Sequence, residues 1–182
     1  VFYPAQFWAH KNHVYLLEGL KCLEGRYGKR VGAIFSGGDK GNLTYVKDYV
    51  AKLGLEDRVR FTGFVPNGEI PDLYLQSLAL VMPSYFGPTN LPPLEAFRLG
   101  VPVLCSNKAG IREQVGNAAL LMDLANPDSL ARHLNHLLDD ESLRLRLIAA
   151  GIERSKYFED YDRISPLRKV VQDFRWRRLT WQ

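Results

Sequence analysis

Cysteine is scarce in this chain. Two in 182 residues, Cys22 and Cys105, are too few for a disulfide framework. One falls within a helical pattern and the other at a strand end, and both are expected to be buried thiols. Long hydrophobic runs are missing too. None approaches the roughly 20 residues that span a bilayer, so no transmembrane helix is expected. No Cys/His spacing suggests a metal site. His10 and His13 flank Lys11-Asn12 and are expected at the surface rather than as ligands. No groove-reading motif accompanies the basic residues, which argues against nucleic acid as a partner. Internal repeats, low-complexity segments and a signal-peptide pattern are absent. The chain opens at Val1 directly on a strand-like run and reads as part of something longer.

What is present is the composition of a soluble globular domain, 46% apolar and 24% charged with a net charge of +4. The length is that of one ordinary domain with a substantial core. The positive excess gathers late, in Arg168, Lys169, Arg175, Arg177 and Arg178, interleaved with Trp176 and Trp181. An ordinary basic surface accounts for it. It leaves open a polyanionic ligand or a peripheral association with an anionic membrane. The expected location is the cytoplasm, with the inner face of the membrane as the place of any such association.

Strand-like and helix-like segments alternate along most of the chain. Val31 to Phe35 is a compact apolar run closed by Ser36-Gly37-Gly38-Asp39. Tyr45, Val46, Tyr49, Val50 and Leu53 then recur at helical spacing, with Gly54 as a C-terminal stop. Val59 to Pro66 alternates like a strand, and Ile70, Leu73 and Tyr74 suit a short helix. Leu78 to Met82, Val101 to Cys105 and Ala118 to Met122 read as further strands. From Pro127 onward the pattern is helical, with Leu130, Leu134, Leu137 and Leu138 in one apolar stripe and Leu143, Leu147 and Ile148 in another. The last segment, Ile164 to Leu179, reads as a helix that either closes the domain or packs on a missing neighbour. Repeated strand–helix units predict a Rossmann-like α/β fold, a parallel sheet flanked by helices with a helical C-terminal tail. In such sheets ligands gather outside the carboxyl ends of the strands, where the loops after Phe35, Val65 and Met82 all fall.

The segment from Pro83 to Phe97 is the most informative. A short buried strand feeds a loop of Gly87, Pro88, Thr89 and Asn90, and a helix follows from Pro92 to Leu99. Proline suits a first helical turn because the N–H it lacks would have no intrahelical partner there. A helix start offers free N–H donors and partial positive charge, which suits a phosphate. Glu95 sits in that first turn, where a carboxylate could accept both hydroxyls of a vicinal diol. A phosphate cradle beside such an acid suggests a nucleotide or nucleotide-sugar site.

Leu91-Pro92-Pro93-Leu94-Glu95-Ala96 and Gly100-Val101-Pro102-Val103, with Phe61-Thr62-Gly63-Phe64-Val65-Pro66 before them and Arg112-Glu113 after, resemble the C-terminal, donor-binding domain of a GT-B glycosyltransferase of the retaining family 4 type. The resemblance extends over nearly the full length. It implies one domain over residues 1–182, with 156–182 as a helical extension and an N-terminal acceptor domain missing. It also implies that a nucleotide-linked sugar is transferred with retention and without a metal. The donor is a GDP- or UDP-linked substrate rather than a cofactor, with a lean towards mannose, and the acceptor is a glycan or a lipid-linked acceptor.

Carried across by resemblance, Lys11 neutralises the donor diphosphate and Glu95 holds the ribose; these are the two residues expected to matter for catalysis. Pro88, Thr89, Asn90 and Leu91 would meet the diphosphate, Val65 would offer main-chain groups to the base, and Gly37 and Gly38 would let the backbone approach the ligand. Plainer readings exist for each: Glu95 as a complement to the helix start, Lys11 as a surface lysine, Asn90 as an N-cap, and the glycines as a strand–helix turn. The chain departs from the family pattern at two positions. Gly87 stands where the first motif acid belongs, and Gln6 where a diphosphate-binding arginine usually precedes the lysine. Both keep open the alternative of a catalytically degenerate nucleotide-binding module. A sugar-nucleotide epimerase with the same architecture fits the Leu91–Ala96 motif less well.

Overall fold

The computed structural model describes residues 1–87, 90–160, 162 and 164–179, with the side chains of Arg177 and Leu179 outside the description. Pro88, Thr89 and Trp181, which the sequence marks as of interest, lie outside the described residues. Six parallel strands form one sheet in the order β3-β2-β1-β4-β5-β6. They are β1 (Phe2–Pro4), β2 (Ala33–Ser36), β3 (Val59–Gly63), β4 (Leu80–Met82), β5 (Val103–Ser106) and β6 (Ala119–Met122). The connecting helices are α1 (His13–Tyr27), α2 (Leu43–Leu53), α3 (Ile70–Leu75), α4 (Leu91–Arg98) and α5 (Ala109–Val115). Helices α6 (Asp128–Asp139), α7 (Glu141–Asp160) and α8 (Ile164–Leu179) complete the chain.

The apolar runs become strands because both faces of the sheet are covered. Helices α2 and α6 each pack on α1, and α4 packs on α7. Strand β1 is central, with Phe2 in register with Ile34 on one side and Leu80 on the other. Leu16, Leu17, Leu20 and Leu23 of α1 are fully buried, each contributing about 1.5–3 kcal/mol. Gly54 ends α2 in the left-handed conformation expected of it.

Several expectations need correction. Leu138 is exposed, so the buried stripe of α6 is Leu130, Leu134 and Leu137; the burial period slips at the last helical turn. Cys105 is buried but Cys22 is only half-buried. His13 is not a surface residue. It is fully buried, stacked on Phe7 with ring centroids 4.5 Å apart and tilted against Tyr3 at 4.9 Å. Residue 156, where the sequence places the start of a helical extension, lies within α7, which runs on to Asp160 before α8.

The sheet topology locates the crevice. From β1 the chain steps outward to β2 and β3, then returns to place β4 on the other side of β1. The loops after β1 and β4 therefore leave neighbouring strand ends in opposite directions. Such a reversal of strand order opens a cleft at the carboxyl edge of a parallel sheet.

Candidate functional site

Lys11 follows β1 in a single 3-10 turn, Ala9–Lys11, closed by Asn12 in the left-handed conformation at φ 55°. The Tyr3 hydroxyl donates to the Lys11 carbonyl at 2.9 Å. The Tyr85 N–H donates to the His10 carbonyl at 2.8 Å. That bond ties the lysine turn to the loop leading into α4, so Lys11 and the start of α4 share one edge of the domain. The lysine is half-buried, and among the described residues no carboxylate pairs with it. Burial lowers its pKa. A desolvated ammonium with no counter-charge is a natural seat for an anion.

Glu95 lies one turn into α4, exposed, with Oε2 accepting from the Tyr74 hydroxyl at 2.8 Å. Tyr74 is itself fully buried, its ring edge-on to Phe2. Burial and the Glu95 charge raise the phenol's pKa, which keeps it a donor. One face of the carboxylate is thus anchored and the other is left to accept from a ligand. Glu95, Tyr74, Ile70, Pro92 and Pro4 border a cavity of about 600 Å³ between α3 and α4. Leu91, at its rim, begins the helix with its side chain exposed.

The glycines divide by role. A Cβ on Gly37 would stand 2.4 Å from the Ala5 carbonyl oxygen, so that glycine lets the loops after β1 and β2 touch. Gly38 faces open space. At Gly87 the backbone adopts φ 134°, and a Cβ would lie 2.8 Å from the Asn90 Oδ1. The Asn90 side-chain amide donates to the Gly87 carbonyl at 2.8 Å. That conformation favours glycine and disfavours an acid at position 87.

Asn90 does not cap α4 through its side chain, nor is its N–H free. That N–H donates to the Gln114 Oε1 at 3.1 Å. Pro92 and Pro93 have no N–H, so among the first three helical positions only Leu91 carries a backbone amide donor. Gln6 is exposed, its Oε1 accepting from the Trp8 indole at 3.1 Å. Val65 is half-buried beyond the end of β3, two residues from the bordering Asn67. Among the described residues, no helix is long and apolar enough to cross a membrane.

Sequence reading missed two residues, Tyr74 and Gln114. Tyr74 looked like one more apolar position of a short helix. Gln114 had left a signal: it occupies a buried position of α5 beside Ile111 and Val115, where a polar residue needs partners.

This parallel α/β sheet with its crevice at the carboxyl edge is the fold of a GT-B glycosyltransferase half. The family described as glycosyl transferases group 1 matches residues 1–154, and the chain belongs to it. It is 38% identical over 103 residues to the O-antigen chain mannosyltransferase B of Escherichia coli, covering 57% of this chain and 27% of that protein. It is 31% identical over 130 residues to a D-inositol 3-phosphate glycosyltransferase of Corynebacterium diphtheriae, covering 69% and 30%. The chain thus spans only about a quarter to a third of these relatives. In fold it resembles Anabaena HepE in complex with UDP, with a TM-score of 0.79 and 19% identity over 95% of this chain and 47% of that one. The C-terminal domain of the group 1 protein LpcC from Francisella tularensis aligns with a TM-score of 0.73 and 20% identity, over 89% and 86%.

Proposed function

We propose that this chain is the donor-binding part of a retaining glycosyltransferase, taking a UDP- or GDP-linked sugar at the edge between β1 and β4. The carrying observation is the half-buried, uncompensated Lys11 ammonium on the same edge as the start of α4 and the anchored Glu95 carboxylate. Lys11 and the Leu91 amide take the diphosphate, Glu95 accepts the ribose hydroxyls, and the end of β3 near Val65 meets the base. As the glycosidic bond lengthens, negative charge collects on the departing diphosphate. A fixed ammonium stabilises that charge more than it stabilises the ground state, which is the source of the acceleration. No metal is needed in this scheme. The acceptor, a glycan or a lipid-linked molecule, is held by a separate N-terminal domain, and the transferred sugar is of the mannose type. The mannosyltransferase named among the relatives supports that choice.

A peripheral membrane contact belongs to the same proposal. Ile164, Leu167, Val170, Val171 and Phe174 of α8 are exposed, with Arg168, Lys169, Arg175 and Arg178 on the same helix. An apolar stripe with basic neighbours suits an anionic surface.

Isothermal titration of the chain with UDP and GDP tests the donor site. Binding of either in the micromolar-to-millimolar range is expected, and silence from both at millimolar concentration overturns the reading. The second reading, a module that binds nucleotide and has lost transfer, is favoured by the closed backbone at Gly87. Transfer by the full-length protein, abolished in Lys11→Ala and Glu95→Ala, decides for the enzyme.

A further inference from the structure

The donor loop between β4 and α4 is held from both sides. On the β1 side the His10 carbonyl takes the Tyr85 N–H. On the β5 side the Ser106 hydroxyl donates to the Ser84 carbonyl at 2.8 Å, within the core. The backbone of Asn90, the last residue before α4, is held by the side chain of Gln114. Gln114 accepts from its N–H through Oε1 and donates to its carbonyl through Nε2 at 2.5 Å. A side-chain amide thus pairs with a backbone peptide as a neighbouring strand would. Gln114 is buried, and the Arg154 Nε donates to the Gln114 carbonyl at 2.9 Å, while the guanidinium also reaches the Glu113 carbonyl. Helix α5 is therefore fixed to α7 at the point where it grips the loop.

We infer that Gln114 is a positioning residue for donor binding: it sets the direction of the Leu91 amide and the first turn of α4 towards the diphosphate, without touching the ligand. The inference rests on the donor site proposed above. Three observations lead to it. Two prolines have removed two of the helix's free donors, so the orientation of the remaining amide matters more than usual. The Asn90 side chain is spent on Gly87 and cannot cap the helix. Gly87 has no side chain, and its carbonyl is held by the Asn90 amide, so whatever fixes Asn90 also fixes the loop at Gly87. What would ordinarily be done by a capping side chain is here done from α5.

The test measures binding of UDP and GDP to wild type, Gln114→Met and Gln114→Glu between pH 5 and 8, with melting temperatures alongside. Gln114→Met keeps the volume and removes both bonds; affinity is expected to fall about tenfold. Gln114→Glu supplies, when ionised, an acceptor facing the Asn90 carbonyl and should bind as weakly at pH 8. When protonated, its carboxyl can again accept from the Asn90 N–H and donate to the Asn90 carbonyl, so affinity should recover as pH falls. Relative to wild type, that recovery is a signature that a purely structural defect would not produce. Wild-type binding with unchanged affinity in Gln114→Met overturns this inference and leaves the donor site standing. Weakened binding in both variants with no recovery at low pH also overturns it, since the loss then tracks general damage. No nucleotide binding by wild type overturns the donor site and this inference together.

Discussion

The buried phenol of Tyr74 holds the Glu95 carboxylate at 2.8 Å, across the gap between α3 and α4. The two residues lie 21 positions apart, and their bond aims an exposed carboxylate from a rigid base.

Tyr74→Phe deletes that bond and leaves the freed Glu95 oxygen to water, so folding should change little. Binding of UDP or GDP should weaken by about 0.5–1.5 kcal/mol, a few-fold to tenfold. If Glu95 reads the ribose, wild type prefers the nucleotide over its 2′-deoxy form, Tyr74→Phe narrows that preference, and Glu95→Ala erases it. Equal discrimination in wild type and Glu95→Ala would remove the ribose from this site.

Lys11→Met keeps the apolar stem and removes the charge. With no ion pair to lose among the described residues, the melting temperature should move little, while nucleotide affinity falls about ten- to hundredfold. Burial lowers the pKa of this lysine, so wild-type affinity should decline as pH rises through that lowered value. Lys11→Arg should carry the decline to higher pH. Titrations from pH 7 to 10 check both.

Gly87→Glu installs the acid that the family pattern expects. At φ 134°, with a Cβ 2.8 Å from the Asn90 Oδ1, it should cost about 1–3 kcal/mol and weaken nucleotide binding rather than improve it. Thermal denaturation and titration read the two effects, and tighter binding would show that the loop has room for an acid.

His13 makes the domain sensitive to acid. Burial, aided by the charge of Lys11, lowers its pKa from 6.5 to about 4. Between these values the unfolded chain binds more protons than the folded one, so stability falls with pH across that window, by about 3 kcal/mol at its lower end. His13→Phe retains the stacking with Phe7 and should flatten this limb. Urea denaturation at pH 7 and pH 4.5 would show it, and an unchanged difference between the two would assign the acid limb to other groups.

The elements themselves were legible because they depend on short-range patterns. Apolar runs bounded on one side by glycine or proline mark β2, β4 and β5, and Gly54 marks the end of α2. The direction of the loops towards one edge was legible as well, since a parallel sheet leaves little choice. Burial of His13 was not, because its partners Phe7, Tyr3 and Phe35 converge only when β1 and β2 pair. The slip at Leu138 escaped for a similar reason: a helical stripe does not reveal where its neighbour stops. The site was half visible. Lys11 and Glu95 carry their chemistry in their own side chains, whereas Tyr74 and Gln114 act only through what they touch.

From its residues alone this chain determines a parallel α/β sheet and places a glutamate in the first turn of a helix at a strand end, because periodicity and turn chemistry are local properties; Lys11 stood out only through the family resemblance. The folded molecule decided which amides are spoken for, why glycine is favoured at residue 87, and what steadies Glu95. Those answers depend on distances between segments far apart in the chain, and hydrogen-bond partners at such separations are chosen by packing.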